Sequence, residues 1–141
     1  MRIGLIIYDS LETLSGGYLY DRQVVAYLRG RGVEVDLLSL PSCPYLLCPL
    51  PIPGRTRPRW ELRRLLRSAE VRPAFDAVVI DELVHPSVFG VARRRSAGAP
   101  PLVCLVHHLK SREPIAAPLR LAARGMERAL LRCSRGVLVN S

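Results

Sequence analysis

Apolar and polar positions change places along this chain in a regular way. Arg2 to Tyr8 holds an unbroken apolar run, Ile3 to Tyr8, of the kind that a parallel sheet buries on both faces. A loop from Asp9 to Gly16 follows. A helix is then predicted from about Gly17 to Arg31, with Leu19, Val24, Ala26, Tyr27 and Leu28 forming much of its apolar side. Ser15 is placed to cap its start, and Gly32 to stop it in a left-handed turn. Val33–Leu40 reads as a second strand, which closes one strand-helix-strand unit.

The pattern breaks between residues 41 and 58. Pro41, Pro44, Pro49, Pro51, Pro53 and Pro58 leave neither helix nor central strand intact, so this stretch reads as an irregular excursion, either a substrate-entrance frame or a plain long loop. A short helix is predicted from Trp60 to Ala69. A third strand, Ala77 to Ile80, ends on Asp81 and Glu82. A helix is expected after Pro86 to about Arg95, then a fourth strand, Leu102–Val106, ending on His107 and His108. A helix from about Ala117 to Arg132 and a short strand, Gly136–Val139, complete the alternation. With no repeat and no internal linker, residues 1–141 read as one α/β domain, a Rossmann-like doubly wound parallel sheet.

Composition fits that reading. At 141 residues and 49% apolar content, the chain can bury roughly two thirds of its unfolded surface, and wholesale disorder is not expected. The first apolar run is too short to span a membrane and lacks the cleavage site of a signal peptide, so a cytoplasmic protein is expected. Of the 21 basic residues all are arginine except Lys110, and the net charge is +9. They are spread out, and no aromatic residues alternate with them, so nucleic acid is not the expected partner. A solvated basic face is the plain reading; peripheral contact with anionic lipid at the inner membrane face is the functional one. Cys43, Cys48, Cys104 and His107 could be drawn as a zinc site, but the tight Cys-x-x-Cys pairs are missing. Free thiols, no metal and no cofactor are therefore expected.

Ligands of open parallel sheets bind at the carboxyl ends of the strands. That rule gathers Asp9, Ser15-Gly16-Gly17, Asp81, Glu82, His85, His107, His108 and Lys110 on one rim. Gly16 and Gly17 can bring backbone N–H groups close to an anion at a helix start, or merely make a turn; they match neither a dinucleotide fingerprint nor a P-loop. His107 can serve as donor or acid-base group, or tie loop backbone together. Asp81 and Glu82 can form a polar site or cap the next helix. His85, before Pro86, suits a helix start as well as a ligand contact.

The run Ser15-Gly16-Gly17-Tyr18-Leu19-Tyr20-Asp21-Arg22-Gln23, then Leu28 and Arg31-Gly32-Val33-Glu34-Val35, resembles the amino-terminal domain of glycosyltransferase family 4. So do Asp81-Glu82-Leu83, His85-Pro86-Ser87, Val106-His107-His108-Leu109 and Val137 to Ser141, in that order over nearly the whole chain. The resemblance implies the amino-terminal half of a GT-B fold, two Rossmann-like domains facing across a cleft. It implies retaining transfer of a sugar from a nucleotide-sugar donor to an acceptor, without a required metal. On it, Gly16 and Gly17 approach the donor phosphates and His107, rather than His108, contacts the transferred sugar. Asp81, Glu82, His85 and His108 fall on the acceptor side of the cleft. The carboxy-terminal domain that holds most of the donor in such enzymes has no counterpart in these 141 residues, so activity is not expected from them alone. The rival expectation is a non-enzymatic binding module that uses the basic surface and the Pro-rich loop for a protein partner or an anionic membrane.

Overall fold

A computed structural model describes residues 1–42, 75–93 and 98–140. Among these residues lie five strands: β1 (Arg2–Tyr8), β2 (Glu34–Leu40), β3 (Ala77–Asp81), β4 (Leu102–Val106) and β5 (Gly136–Val139). The helices are α1 (Gly16–Gly30), α2 (His85–Ala92) and α3 (Ala117–Cys133), with 3-10 turns at Glu82–Val84 and Lys110–Arg112. All strands are parallel, in the order β2-β1-β3-β4-β5, so the fold is the α/β, Rossmann-like sheet that the alternation predicted. The Pro-rich stretch from residue 43 onwards, Cys43, Cys48 and the helix expected at Trp60–Ala69 lie outside the described residues.

β1 is apolar from Ile3 to Tyr8 because both its faces are covered there. Ile6 and Tyr8 pack with Val84, Val88, Ala92 and Leu130 on the side of α2 and α3. Leu5 and Ile7 pack with Tyr18, Val25 and Val35 on the side of α1. Ile6, Ile7 and Ile80 are wholly buried, so truncating any of them to alanine should cost about 2–5 kcal/mol. The chain leaves β1 for β2 on one side and returns to β3 on the other, which opens a crevice at their carboxyl ends.

The ends of α1 follow from its sequence. Ser15 is extended (φ −147°, ψ 153°) and its Oγ accepts from Tyr18 N–H at 3.1 Å, as an N-cap should. At the other end Gly32 takes φ +78°, its N–H reaches Arg29 O at 3.0 Å, and Val33 N–H reaches Leu28 O at 3.1 Å. That is a Schellman stop, and it draws Val33 out of β2, which begins one residue later than expected.

The apolar side expected for α1 needs correction. Leu19 and Tyr27 are 53% and 62% exposed, whereas Tyr18, Asp21 and Val25 are buried, with Leu28 packed beside them. The inward stripe runs 18, 21, 25, 28, at helical spacing, and it contains a carboxylate. A reading that seeks only apolar residues therefore rotates the helix to the wrong face. α2 also ends earlier than the expected Arg95, at Ala92. Cys104 and Cys133 are free thiols, and Cys104 is buried with Sγ 2.9 Å from Ser134 Oγ.

Candidate functional site

The site begins where β1 ends. Asp9 adopts φ +48°, a left-handed turn that aspartate tolerates, and its Oδ1 accepts from Ser42 N–H at 3.1 Å. Further on, Tyr18 seals α1 to the strand end. Its hydroxyl donates to Tyr8 O at 3.0 Å and accepts from Tyr8 N–H at 3.2 Å. Burial, with the charge of Asp81 nearby, pushes this phenol up to about 12, so it stays a neutral donor. With Tyr18 pinned, the residue three positions on, Asp21, must face the sheet.

There Asp21 meets the ends of β3 and β4. Asp21 and Asp81 are both 0% exposed. His107 Nε2 lies 3.0 Å from Asp21 Oδ1 and 3.6 Å from Asp81 Oδ2. The imidazole is held on its other sides by the edge of Tyr20, with ring centroids 5.3 Å apart, and by Gly17. A Cβ on Gly17 would stand 3.1 Å from His107 Cδ2, so any larger residue there would press the ring back by a few tenths of an ångström. Gly16 faces open space, with nothing within 4 Å of where its Cβ would be.

This cluster is short of partners. Asp21 Oδ2, Asp81 Oδ2 and His107 Nδ1 are buried and make no hydrogen bond among the described residues. Burial raises Asp81 well above the ordinary carboxylate range, and the charge of Asp21 adds to it; burial raises Asp21 as well. With one proton between them the two carboxyls can bond to each other, which favours Asp81 as the holder. Asp21, Asp81 and His107 offer three ligand atoms within 4.8 Å of one another and could hold a small divalent cation. The 3.0 Å separation of Nε2 and Oδ1 is that of a direct hydrogen bond, so a shared proton is the simpler bridge.

Glu82, the neighbour of Asp81, is tied to backbone through one oxygen. Its Oε2 accepts from His107 N–H at 2.6 Å and from His108 N–H, which fixes the turn after β4. Asp81 Oδ1 accepts from Leu83 N–H at 2.7 Å and caps the turn after β3. His85 opens α2 with 1% exposure, and burial drops its imidazole to about 4, so it is neutral in the fold. His108 is exposed where His107 turns inward. On the α2 side, Tyr8, Glu82, Leu83, His85, His108 and Lys110 line a hollow of about 230 Å³.

The rim expected from sequence is therefore split in two by the sheet. Gly17, Asp81 and His107 come together on the α1 side, and Glu82, His85 and His108 come together at the hollow. Asp21 was not singled out as a site residue, and the deciding signal was its place in the stripe 18, 21, 25, 28: a carboxylate at a helix position that must be buried. Comparison with family models, with curated proteins and with solved structures finds no match to this chain.

Proposed function

We propose that this domain is the acceptor-side half of a retaining glycosyltransferase of family 4 type, working across a cleft from a nucleotide-sugar-binding domain. One observation carries the reading beyond the order of the sequence blocks. The first turn of α1 and the imidazole of His107 are in contact at the carboxyl edge of the sheet, where Gly17 has no side chain to keep them apart.

Each part then has a chemical task. With Tyr18 N–H taken by Ser15 and Leu19 N–H by the Ser15 carbonyl, the first amides of α1 are those of Gly16 and Gly17. They and the helix dipole favour an anion, so they stabilise the negative charge that gathers on the donor phosphate as the sugar leaves. His107 contacts the sugar. Asp21 acts as its positioning residue by holding Nε2, which leaves Nδ1 as the nitrogen for a sugar hydroxyl; a ligand must open the shield over that atom to reach it. The hollow lined by Glu82, His85 and His108 lies beside this centre and is the acceptor side of the reading.

The test is to mix the chain with a matching carboxy-terminal half and follow donor turnover. Turnover is expected only in the mixture, and His107→Ala should lower it about a hundredfold. An active mixture that is indifferent to His107→Ala removes the role assigned to that residue. Binding to a protein partner or a membrane with no donor bound in any mixture would favour the non-enzymatic module instead.

A further inference from the structure

α3 carries a feature that the transfer reading does not use. Arg120, Arg124, Arg128 and Arg132 recur every four residues, so they form one stripe along the helix, and all four are exposed. Like charges at this spacing repel one another. The one acid of α3, Glu127, is 2% exposed and turned inward, where its Oε1 accepts from Ser111 N–H at 3.0 Å. None of the four arginines forms an ion pair among the described residues. Arg112, from the turn after β4, joins Arg120, Arg124 and Arg128 around an open groove of about 730 Å³.

Beside the stripe, and lining the same groove, stands a leucine that the core does not use, Leu121 at 73% exposure. α3 has no aromatic residue, so the face offers nothing for bases to stack on. A row of guanidinium groups with no ion pair among the described residues, next to an exposed leucine, suits a surface that is anionic at its headgroups and apolar just beneath.

We propose that the Arg120-Arg124-Arg128-Arg132 face of α3 docks the domain on an anionic lipid bilayer. The groove shares Leu109 and Glu127 with the hollow at the rim, so a bilayer held there lies beside that hollow. The docking stands on the charge pattern alone and does not depend on sugar transfer.

Vesicle flotation tests it with the full chain. Vesicles of phosphatidylcholine containing about a third phosphatidylglycerol should carry the protein at low salt, and pure phosphatidylcholine should not. The triple variant Arg120→Gln, Arg124→Gln, Arg128→Gln should lose about a hundredfold in affinity, because each basic residue near such a surface adds about fivefold. Its circular dichroism should match the parent, since the substituted side chains are exposed; the single charge reversal Arg124→Glu should weaken binding in the same direction. Removing charge from α1 instead, with Arg22→Gln and Arg31→Gln, should change little. No binding to the anionic vesicles, equal binding to neutral ones, an equal loss in the α1 variant, or preference for an acidic peptide or single-stranded RNA over vesicles would each overturn the proposal.

Discussion

Asp81 and Glu82 are neighbours in the chain, both buried, at the end of one strand, yet the fold uses them in opposite ways. Glu82 reaches across to β4 and accepts two backbone N–H groups, from His107 and His108, on one oxygen. Asp81 spends one oxygen on the N–H of Leu83 and leaves the other facing Asp21 and His107 with no hydrogen bond. The chain reverses its facing from one residue to the next, so one carboxyl enters the turn after β4 and the other enters the α1 side. A buried acid that accepts two backbone N–H groups holds that backbone in place; one with a buried oxygen left wanting is where a proton or a ligand belongs.

Loss of Glu82 should have the largest effect. Glu82→Ala strands two N–H groups and should cost about 4 kcal/mol in urea unfolding. Glu82→Gln, which can still accept both, should cost about half that. If both variants are as stable as the parent, the turn after β4 is held by something else.

His85 gives the next largest effect. Its folded value, about 4, lies below its unfolded one, so its contribution is complete above pH ~6.5 and is lost as pH falls towards 4. That acid-side loss is worth up to about 3 kcal/mol, and His85→Leu should flatten it in melts taken across this range.

Asp81 has the opposite sign. Its folded value is raised, so its contribution is complete below the ordinary carboxylate range and is lost as pH rises from about 4 through the folded value. Asp81→Asn keeps an oxygen for Leu83 N–H and removes that loss. The variant should match the parent near pH 4 and be more stable by about 2 kcal/mol above neutrality.

Gly17→Ala is the gentlest test. At an open helix position glycine to alanine gains up to about 1 kcal/mol, and Gly30, with nothing within 4 Å, should show that gain. At Gly17 the added Cβ meets the His107 ring at 3.1 Å, so the gain should vanish and the imidazole resonances should shift.

Most of the fold was legible because strong local rules agree. The apolar runs of β1 and β4, the cap at Ser15 and the stop at Gly32 each dictate one conformation. The carboxyl-end rule also put Asp81, His85 and His107 on the working edge. The chain could not show on which side of the sheet each would fall, since Asp81 and Glu82 are indistinguishable until the turn after them is built. Asp21 was hidden for another reason: in a helix an acid reads as solvent-facing, and only the anchoring of Tyr18 to Tyr8 turns this one inward.

On this reading Asp21 and Asp81 act as one proton-holding pair behind His107. Carboxyl carbon-13 shifts of the two aspartates, followed from pH 3 to 9, test it most directly. The two should titrate together above the ordinary carboxylate range, and in Asp81→Asn the remaining Asp21 should titrate alone in a single step, still raised by its burial. Two independent titrations near pH 4, unchanged in the variant, would contradict it.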